Sequence, residues 1–330
     1  MRSCLRRREF IAGLGGAAAW PLAARAQQRR MPIIGILTYY SLQIFADRLA
    51  AFREGLKETG FAEGQNVSIE YHSTDGHDER LAELAAVLVR RRVAVIATLG
   101  GAFPTLAAKA ATSTIPIVFV SGGDAVENGF VTSISRPEAN LTGSSTNNQG
   151  LARKRLQFMR ELLPGTNPIA VLMSAANINT APREEVSLME AARTLALQLV
   201  VFRVVATEHA IDTAFANIVQ QRIAALVVSG GLNNRRPQII ALAARHVIPA
   251  FYSNDEYVRA GGLISYSSEI YHQYREAGVY AGRILKGDKP ADLPVMLPTK
   301  YKLAINMKTA KALGLSVPPT LVAIADELIE

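Results

Sequence analysis

Two aspartates stand where this sequence could place acid–base chemistry. Asp124 follows the apolar run that contains Val118 and Phe119, and Asp255 follows a comparable run that contains Pro249 and Ala250. Carboxylates at the ends of two strands can move protons, pair with a ligand's ammonium group, or cap the next helix. No G-x-S-x-G nucleophile elbow, Walker loop or kinase signature set accompanies them. We therefore expect polar ligand contacts from these residues and no catalytic residue.

Metal and thiol chemistry find little support in the sequence. The five histidines show no metal-ligand spacing, although His72 and His77 flank a loop that contains Asp75 and Asp78. That loop could hold a surface cation, but we favour a solvated turn. The single cysteine, Cys4, lies in the N-terminal segment, so the rest of the chain has no disulfide and no thiol nucleophile. We expect no cofactor and no metal.

The first 26 residues have the organisation of an export signal. A positive segment precedes a short apolar, glycine-rich run, and Ala24-Arg25-Ala26 forms a small-x-small cleavage pattern. Arg7-Arg8-Glu9-Phe10-Ile11 is similar to the twin-arginine export motif, and a general secretory signal is the alternative. Gly13-Leu14-Gly15-Gly16 matches part of a dinucleotide fingerprint, but no strand precedes it, so we reject a nucleotide site there. We predict that 1–26 is cleaved and that the mature protein is periplasmic.

The charge of the chain does not predict a nucleic-acid partner. The net charge is +8, and five arginines against one glutamate in 1–26 account for +4 of it. The remaining basic and acidic residues are interspersed, whereas nucleic-acid binders concentrate lysine and arginine on one face. Arg90-Arg91-Arg92 is interpreted as a solvated helix end that the helix dipole favours. A chain of 330 residues that is 49% hydrophobic fits two packed lobes.

From residue 31 onward, short apolar runs alternate with longer amphipathic ones. This alternation is typical of an α/β protein whose parallel sheets are covered by helices on both faces. Strands are predicted over 33–37, 67–71, 93–98, 115–120, 141–144, 169–173, 200–205, 224–228 and 248–252. Helices are predicted over 42–59, 78–91, 103–111, 151–163, 183–195, 211–221 and 237–245.

Part of this pattern occurs twice. The stretch LVRRRVAVIATLGG (88–101) matches IVQQRIAALVVSGG (218–231) at an offset of 130 residues. Ile115-Pro116 then meets Ile248-Pro249 at an offset of 133. Two similar lobes are the expected result, with chance similarity between generic β-α-β units as the alternative. Since ligands bind beyond the carboxyl ends of parallel strands, the loops at those ends should face each other across a cleft.

Several stretches resemble the ABC-transporter substrate-binding proteins of the tryptophan/tyrosine type, and the resemblance covers nearly all of 31–330. No single stretch is diagnostic, but their number and order make the match specific. They are AFREGLKETGFAEGQNVSIEY (51–71), ATSTIPIVFV (111–120), SRPEANLTGSS (135–145), KRLQFMRELLPG (154–165), AGGLISY (260–266), GRILKGDKPADLPVMLPTKYKLAINMKTAKALGLSVPP (282–319) and ADELIE (325–330).

The resemblance implies a periplasmic binding protein type I fold, with two Rossmann-like lobes, parallel central sheets and a ligand cleft between them. It implies three hinge crossings, near 142–145, 263–266 and 297–300. The N-terminal lobe would then be 31–143 plus 265–297, and the C-terminal lobe 145–263 plus 299–330. The implied function is capture of a small molecule and its delivery, by a monomer, to an inner-membrane ABC permease with its cytoplasmic ATPase. A periplasmic sensory module and an enzyme acting on a small acid are the alternatives.

For an amino-acid ligand, aromatic in some members of the family, the resemblance suggests roles for particular loop residues. Ser121, Ser145 and Thr146 would hold the carboxylate, and Asp124 or Asp255 would pair with the ammonium group. Tyr39, Tyr40 or Tyr266 would line the side chain, with hinge or core packing as the alternative for each, and Phe103 would narrow the pocket or cap its helix. The candidate ligand-binding residues are Tyr39, Tyr40, Ser41, Gly101, Ala102, Ser121, Asp124, Ser145, Thr146, Ser174, Asn177, Gly230, Asn254, Asp255 and Tyr266.

Overall fold

A computed structural model describes residues 31–75, 77–137, 139–145, 148–175 and 181–330. The predicted export signal lies outside these residues. The described chain forms two α/β lobes, each built on its own sheet. None of the helices in these ranges is both long and apolar enough to span a membrane.

The first lobe is a five-stranded sheet in which every pair of neighbours is parallel. Its strand order is β2-β1-β3-β4-β5. The elements are β1 (Ile33–Thr38), α1 (Leu42–Glu58), β2 (Ser68–Ser73), α2 (Leu81–Arg90), β3 (Val95–Leu99), α3 (Ala102–Ala111), β4 (Ile117–Ser121) and β5 (Leu141–Ser145).

The second lobe begins with α4 and has a seven-stranded sheet. From this point the elements are, in chain order, α4 (Ala152–Leu162), β6 (Ile169–Ser174), α5 (Ala181–Thr194), β7 (Leu199–Val204), α6 (Glu208–Gln220), β8 (Leu226–Val228), α7 (Arg236–Arg245), β9 (Ala250–Tyr252), α8 (Asp255–Arg259), β10 (Ile264–Ser268), α9 (Ile270–Leu285), β11 (Tyr301–Asn306), α10 (Met307–Ala312), α11 (Pro319–Ile324) and β12 (Glu327–Ile329). All of them except α9 belong to the second lobe. Short 3₁₀ turns lie at Asp78–Arg80, Asn148–Leu151, Asn233–Arg235 and Pro290–Asp292.

The two sheets repeat one topology. The order β7-β6-β8-β9-β10 in the second lobe reproduces β2-β1-β3-β4-β5 in the first, and β11 and β12 extend the second sheet. Only the β10–β11 pair is antiparallel among the described strands. This confirms the predicted α/β class with two similar lobes.

Both sheets are covered on both faces, as the continuous apolar strands predict. In β3, Val95, Ala97 and Leu99 pack in the core cluster that contains α1 and α9, whereas Ile96 packs with α2 and α3. In β6, Ile169, Val171 and Met173 face α4 and α5, while Ala170 and Leu172 face α6 and α7. Alternate residues of a strand therefore belong to different cores.

The chain returns to the first lobe after β10. Helix α9 packs against α1, and its residues Tyr274 and Ala277 belong to the core of the first sheet. The predicted crossings near 142–145 and 297–300 come close together, because Met296 donates to the Gly143 carbonyl at 2.9 Å and Ser145 donates to the Met296 carbonyl at 2.9 Å. The predicted crossing at 263–266 overlaps the start of β10, which stays in the second sheet to Ser268. The lobe boundaries remain a prediction.

Candidate functional site

A cavity of about 380 Å³ lies where the carboxyl ends of the two sheets face each other. Loops after β1, β2, β3 and β4 line it from the first lobe, and the end of β6 and the loops after β7 to β10 line it from the second. Both copies of the repeated Gly-Gly turn, Gly100-Gly101 and Gly230-Gly231, are in its wall. The arrangement matches the general position of ligands in parallel α/β sheets.

Two features require glycine in the first Gly-Gly turn: the backbone conformation of both residues and the short distance from Gly100 to Tyr40. Gly100 and Gly101 have φ angles of 134° and 118°, a region that side-chain-bearing residues rarely adopt. A Cβ atom at Gly100 would also lie 2.9 Å from the Tyr40 ring and from Thr38 Oγ1. The turn can therefore pass close to Tyr40 and begin α3 at the cavity.

Tyr39 and Tyr40 form an aromatic wall at the carboxyl end of β1. Their ring centroids are 4.1 Å apart, and both residues line the cavity together with Phe103. Asn233 of the second lobe donates from Nδ2 to the Tyr40 hydroxyl at 3.0 Å, and Asn234 donates to the Tyr39 carbonyl at 3.4 Å. The wall therefore also joins the two lobes.

A buried ion pair crosses between the lobes beside this wall. Arg48 on α1 donates from Nε and Nη2 to the two carboxylate oxygens of Glu256 on α8, each at 2.7 Å. The two side chains are 4% and 6% exposed. Arg236 adds a 2.7 Å bond to the same carboxylate, and Arg48 also donates to the Tyr274 hydroxyl at 3.2 Å. Burial opposes the charge of Glu256, but Arg48 and Arg236 outweigh it and lower the pKa of that carboxyl.

The second-lobe wall carries a different charged pair. Arg155 on α4 lines the cavity, and its Nη1 lies 3.9 Å from Glu184 Oε1 on α5. Arg155 donates from Nε to the Tyr266 carbonyl at 2.9 Å and from Nη2 to the Ser253 carbonyl at 3.2 Å. Burial lowers the pKa of the Arg155 guanidinium, and Glu184 opposes that shift only in part.

The cavity wall includes eight of the fifteen residues that the sequence singled out. Two others, Thr146 and Asn177, lie outside the described residues. Ser41 is the N-cap of α1 and is not among the lining residues. The eight that line the cavity are Tyr39, Tyr40, Gly101, Ala102, Ser121, Ser174, Gly230 and Asn254.

Four candidates have other partners and are not among the lining residues. Asp124 accepts from the backbone N–H groups of residues 126 and 127 at 2.8 and 3.0 Å, in a turn rather than at the start of a helix. Ser145 donates to the Gly123 carbonyl. Asp255 pairs with Arg259 at 3.1 Å and with Lys302 at 3.7 Å, and the Tyr266 ring packs edge-on against Phe158 at 5.3 Å.

Sequence reasoning missed the charged residues that helices bring to the site. Arg155 occupies the buried face of α4 with Ala152, Leu156 and Met159. Arg48 lies in the same way on α1, between Phe45 and Phe52. A charged residue at an i, i+3, i+4, i+7 position is costly to bury without a purpose. That spacing is the signal that could have identified both arginines.

The described residues contain no group of three or more His, Cys, Asp or Glu side chains that could hold a metal ion. The loop with His72 and His77 instead shows pairwise contacts. His77 Nδ1 lies 3.3 Å from Glu79 on the surface, and His72 Nε2 lies 3.8 Å from Glu70.

Several known proteins are similar to this chain in sequence and in fold. The chain is 24% identical over 265 residues to a tyrosine-binding protein of Clostridioides difficile, covering 80% of this chain and 75% of that protein. It is similar to an ABC domain of Streptococcus pneumoniae solved in complex with L-Trp, with a TM-score of 0.82, 23% identity, and coverage of 90% and 99% of the two chains. A conserved domain protein of Vibrio cholerae matches with a TM-score of 0.82, 22% identity, and coverage of 91% and 100%.

These neighbours have the type I periplasmic-binding-protein fold that the sequence resemblance implied. The model of one protein family, described as ABC transporter substrate binding protein, matches residues 23–329. That match spans both lobes and the cavity between them. The chain therefore belongs to the ABC transporter substrate binding protein family.

Proposed function

We propose that this protein captures a small solute between its lobes and delivers it to an inner-membrane ABC permease that works with a cytoplasmic ATPase. The observation that carries the proposal is the cavity of about 380 Å³, whose wall is shared between the carboxyl ends of both sheets. A site divided between two lobes can open to admit a solute and close to hold it. Capture and release need no chemical step.

The solute is proposed to be an amino acid, and an aromatic one is favoured. A tyrosine-binding protein and a protein solved with L-Trp are similar to this chain. The cavity has aromatic side chains in Tyr39, Tyr40 and Phe103, and it has charged groups in Arg155 and Glu184. An apolar wall with a few fixed polar groups is typical of small-molecule sites.

Binding is tested by the melting temperature of the purified protein in the presence of each proteinogenic amino acid. We expect L-Tyr or L-Trp to raise the melting temperature, since a ligand that binds only the folded protein stabilises it. Gly230→Phe should abolish the shift. Gly230 lines the cavity and has nothing within 4 Å of an added Cβ, so the phenylalanine ring would fit without a clash and would fill space that the ligand needs. Gly150→Phe, also in open space but exposed and outside the wall, should keep the shift.

A screen in which no amino acid and no common metabolite alters the melting temperature would contradict solute capture. Delivery is tested separately, by growth of cells that depend on uptake of the identified solute. The Gly230→Phe variant should fail to support that growth, while Gly150→Phe should support it.

Export is proposed to occur by the twin-arginine route, with a monomeric periplasmic product after cleavage. The motif Arg7-Arg8-Glu9-Phe10-Ile11 supports this route. Lysine replacement of both Arg7 and Arg8 should leave the full-length precursor in the cytoplasm, whereas Arg2→Lys should still give the processed periplasmic form. Normal export of the double variant would favour the general secretory route.

A further inference from the structure

The guanidinium of Arg155 retains hydrogen-bonding capacity at the cavity. Two of its nitrogens donate to the carbonyls of Tyr266 and Ser253, but within the described part of the chain Nη1 donates to no acceptor. Arg155 is only 5% exposed, so bulk water cannot solvate this charge freely. Buried ions are normally paired and hydrogen-bonded. An anionic group on a ligand would supply the missing acceptors.

The carboxylate of Glu184 faces the same gap. Its Oε2 accepts a hydrogen bond from the Ser229 hydroxyl at 2.5 Å, and its Oε1 faces Arg155 across 3.9 Å. That separation is too long for a hydrogen bond, so the two charges attract without direct contact. Glu184 lines the cavity and is 17% exposed at its side chain. A cationic donor on a ligand could therefore reach it.

A third group at this wall is the hydroxyl of Ser253. Ser253 lines the cavity, is 6% exposed, and its Oγ has no hydrogen-bond partner among the described residues. Its own carbonyl accepts from Arg155, which places the serine beside the guanidinium. Buried hydroxyls without partners are rare and call for an explanation. A ligand oxygen next to Arg155 would provide one.

We propose that Arg155, Ser253 and Glu184 form the head-group site for an α-amino acid, with its carboxylate on Arg155 and Ser253 and its ammonium group on Glu184. This inference deepens the proposed function and rests on it. Charge-assisted hydrogen bonds of both signs would replace the indirect Arg155–Glu184 contact and leave the site electrically unchanged. A ligand that carries only one of the two charges leaves either Arg155 or Glu184 without a ligand group to pair with.

The site also gives the ligand a direction. The head group is held on the second lobe, so the side chain points toward Tyr39, Ala102 and Phe103 of the first lobe. The family resemblance instead suggests Ser121, Ser145 and Thr146 for the carboxylate and Asp124 or Asp255 for the ammonium group. Asp124 and Asp255 instead bind within their own lobes. Specificity for the side chain is thus assigned to the lobe that closes over it.

Ligand analogues that lack one charge test the two contacts separately. The probes are L-tyrosine, 3-(4-hydroxyphenyl)propionate, which lacks the ammonium group, and tyramine, which lacks the carboxylate. L-Tryptophan, indole-3-propionate and tryptamine form a parallel series. Affinities are measured by calorimetry, and those of weak analogues by competition against the parent amino acid.

Each variant should weaken only the ligands that carry its partner charge. Arg155→Gln should weaken the amino acid and the propionate at least about 10-fold and leave the amine unchanged, since a hydrogen bond to a charged group is lost. Glu184→Gln should weaken the amino acid and the amine and leave the propionate unchanged. Ser253→Ala should reproduce the Arg155→Gln pattern to a smaller extent, and it serves if the arginine variant fails to fold.

The outcomes separate this inference from the function on which it rests. Equal weakening of propionate and amine by either charge variant would overturn the head-group assignment while solute capture stands. The head-group assignment would also be overturned if the wild-type protein bound tightly to a solute that lacks both charges and did not bind the amino-acid series. Failure of every solute to bind the wild-type protein would overturn the proposed function itself.

Discussion

Asp255 and Glu256 are neighbours in the chain, yet their carboxylates have different partners. Asp255 pairs with Arg259 and Lys302 inside the second lobe, whereas Glu256 reaches Arg48 in the first. Burial raises the pKa of Asp255, because its two cations offset that cost only in part. The pKa of Glu256 is lowered, because Arg48 and Arg236 overcome the cost of burial. Sequence position alone does not tell which of two adjacent carboxylates crosses a cleft.

The limits of sequence reasoning are clearest for the arginines. Strand ends and their glycine turns follow from apolar runs, so Gly101, Ser121 and Gly230 could be predicted to lie at the cavity wall. Arg155 and Arg48 lie within helices, and which way a helix residue faces depends on the lobe against which its helix packs. Their spacing marks them as buried, but their partners come from residues more than 20 positions away.

Gln273 tests how much a buried side-chain amide without hydrogen-bond partners costs in stability. It is 3% exposed, and neither amide atom has a partner among the described residues. An unsatisfied buried polar group costs about 1–3 kcal/mol. Gln273→Met, similar in length and apolar, should therefore increase the free energy of unfolding by about 1 kcal/mol, as measured by urea denaturation. Gln220→Met, at an exposed helix end, should leave it unchanged.

The opposite result for Gln273→Met would identify a hidden partner. Gln273 borders a cavity of about 200 Å³ whose wall also contains Ser144 and Met296. Water bound there would satisfy the amide and would be lost in the methionine variant. A decrease in the free energy of unfolding would therefore contradict the account of an unpaired amide.

At the scale of elements, α1 and α9 pack with their backbones almost in contact. A Cβ atom on Gly278 of α9 would lie 2.0 Å from the Phe52 carbonyl oxygen, and one on Gly55 of α1 would lie 1.7 Å from the Arg275 carbonyl oxygen. Glycines at the crossing allow this approach, as small residues do wherever helices pack closely. The pairing anchors α9, which follows the second-lobe strand β10, to the first lobe.

Gly278→Ala should destabilise the protein, although alanine normally favours a helix by about 0.5–1 kcal/mol over glycine. The added methyl group must push the two backbones apart, and overpacking of this kind costs about 1–3 kcal/mol. We expect a lower melting temperature by calorimetry. Gly150→Ala, with nothing within 4 Å of the added Cβ, is the matched control and should not lower it. An unchanged melting temperature for Gly278→Ala would show that the helices do not pack this closely.

Two of the elements that the sequence did not predict, α9 and β10, share one physical feature. Helix α9 buries Gln273, Tyr274, Gly278 and Gly282 rather than a stripe of leucine and isoleucine. Strand β10 reads ISYSS and buries serines. Hydrophobic periodicity is the main sequence signal for secondary structure, and it is weak where small or polar residues are buried against a neighbouring backbone. The nine strands that the sequence predicts match β1 to β9 in order, and even β5, which reads LTGSS, is among them.

At the scale of the whole molecule, the repeated topology and the ion pair between lobes act together. The equivalent strand orders bring equivalent sheet edges face to face, and the Arg48–Glu256 pair joins them at one side of the cavity. Opening the cleft must separate these charges and expose them to water. Arg183 and Glu127 also pair between lobes at 2.7 Å, but both are about half exposed, and such pairs contribute little. The buried pair is thus the main electrostatic contact that favours closure.

Acid should open the molecule through Glu256. Its pKa is lowered in the closed arrangement, because Arg48 and Arg236 outweigh the effect of burial. A carboxylate in water titrates near ~4.3. The closed state therefore binds fewer protons than the open one, so closure is favoured above about pH 4.3 and is lost as the pH falls through the lowered value. X-ray scattering of the unliganded protein should show a larger radius of gyration at that pH, with circular dichroism confirming that both lobes stay folded.

Glu256→Gln should produce the open state without acid. Removing one partner of a buried ion pair costs about 3–5 kcal/mol, and opening the cleft relieves that cost by returning Arg48 to water. The variant should therefore have the larger radius of gyration already at pH 7 and show no further opening on acidification. Glu327→Gln is the matched control, since Glu327 pairs with Arg259 and Lys302 inside the second lobe and its pKa is also lowered. If both variants keep the wild-type radius at pH 7, the Arg48–Glu256 pair does not hold the lobes together.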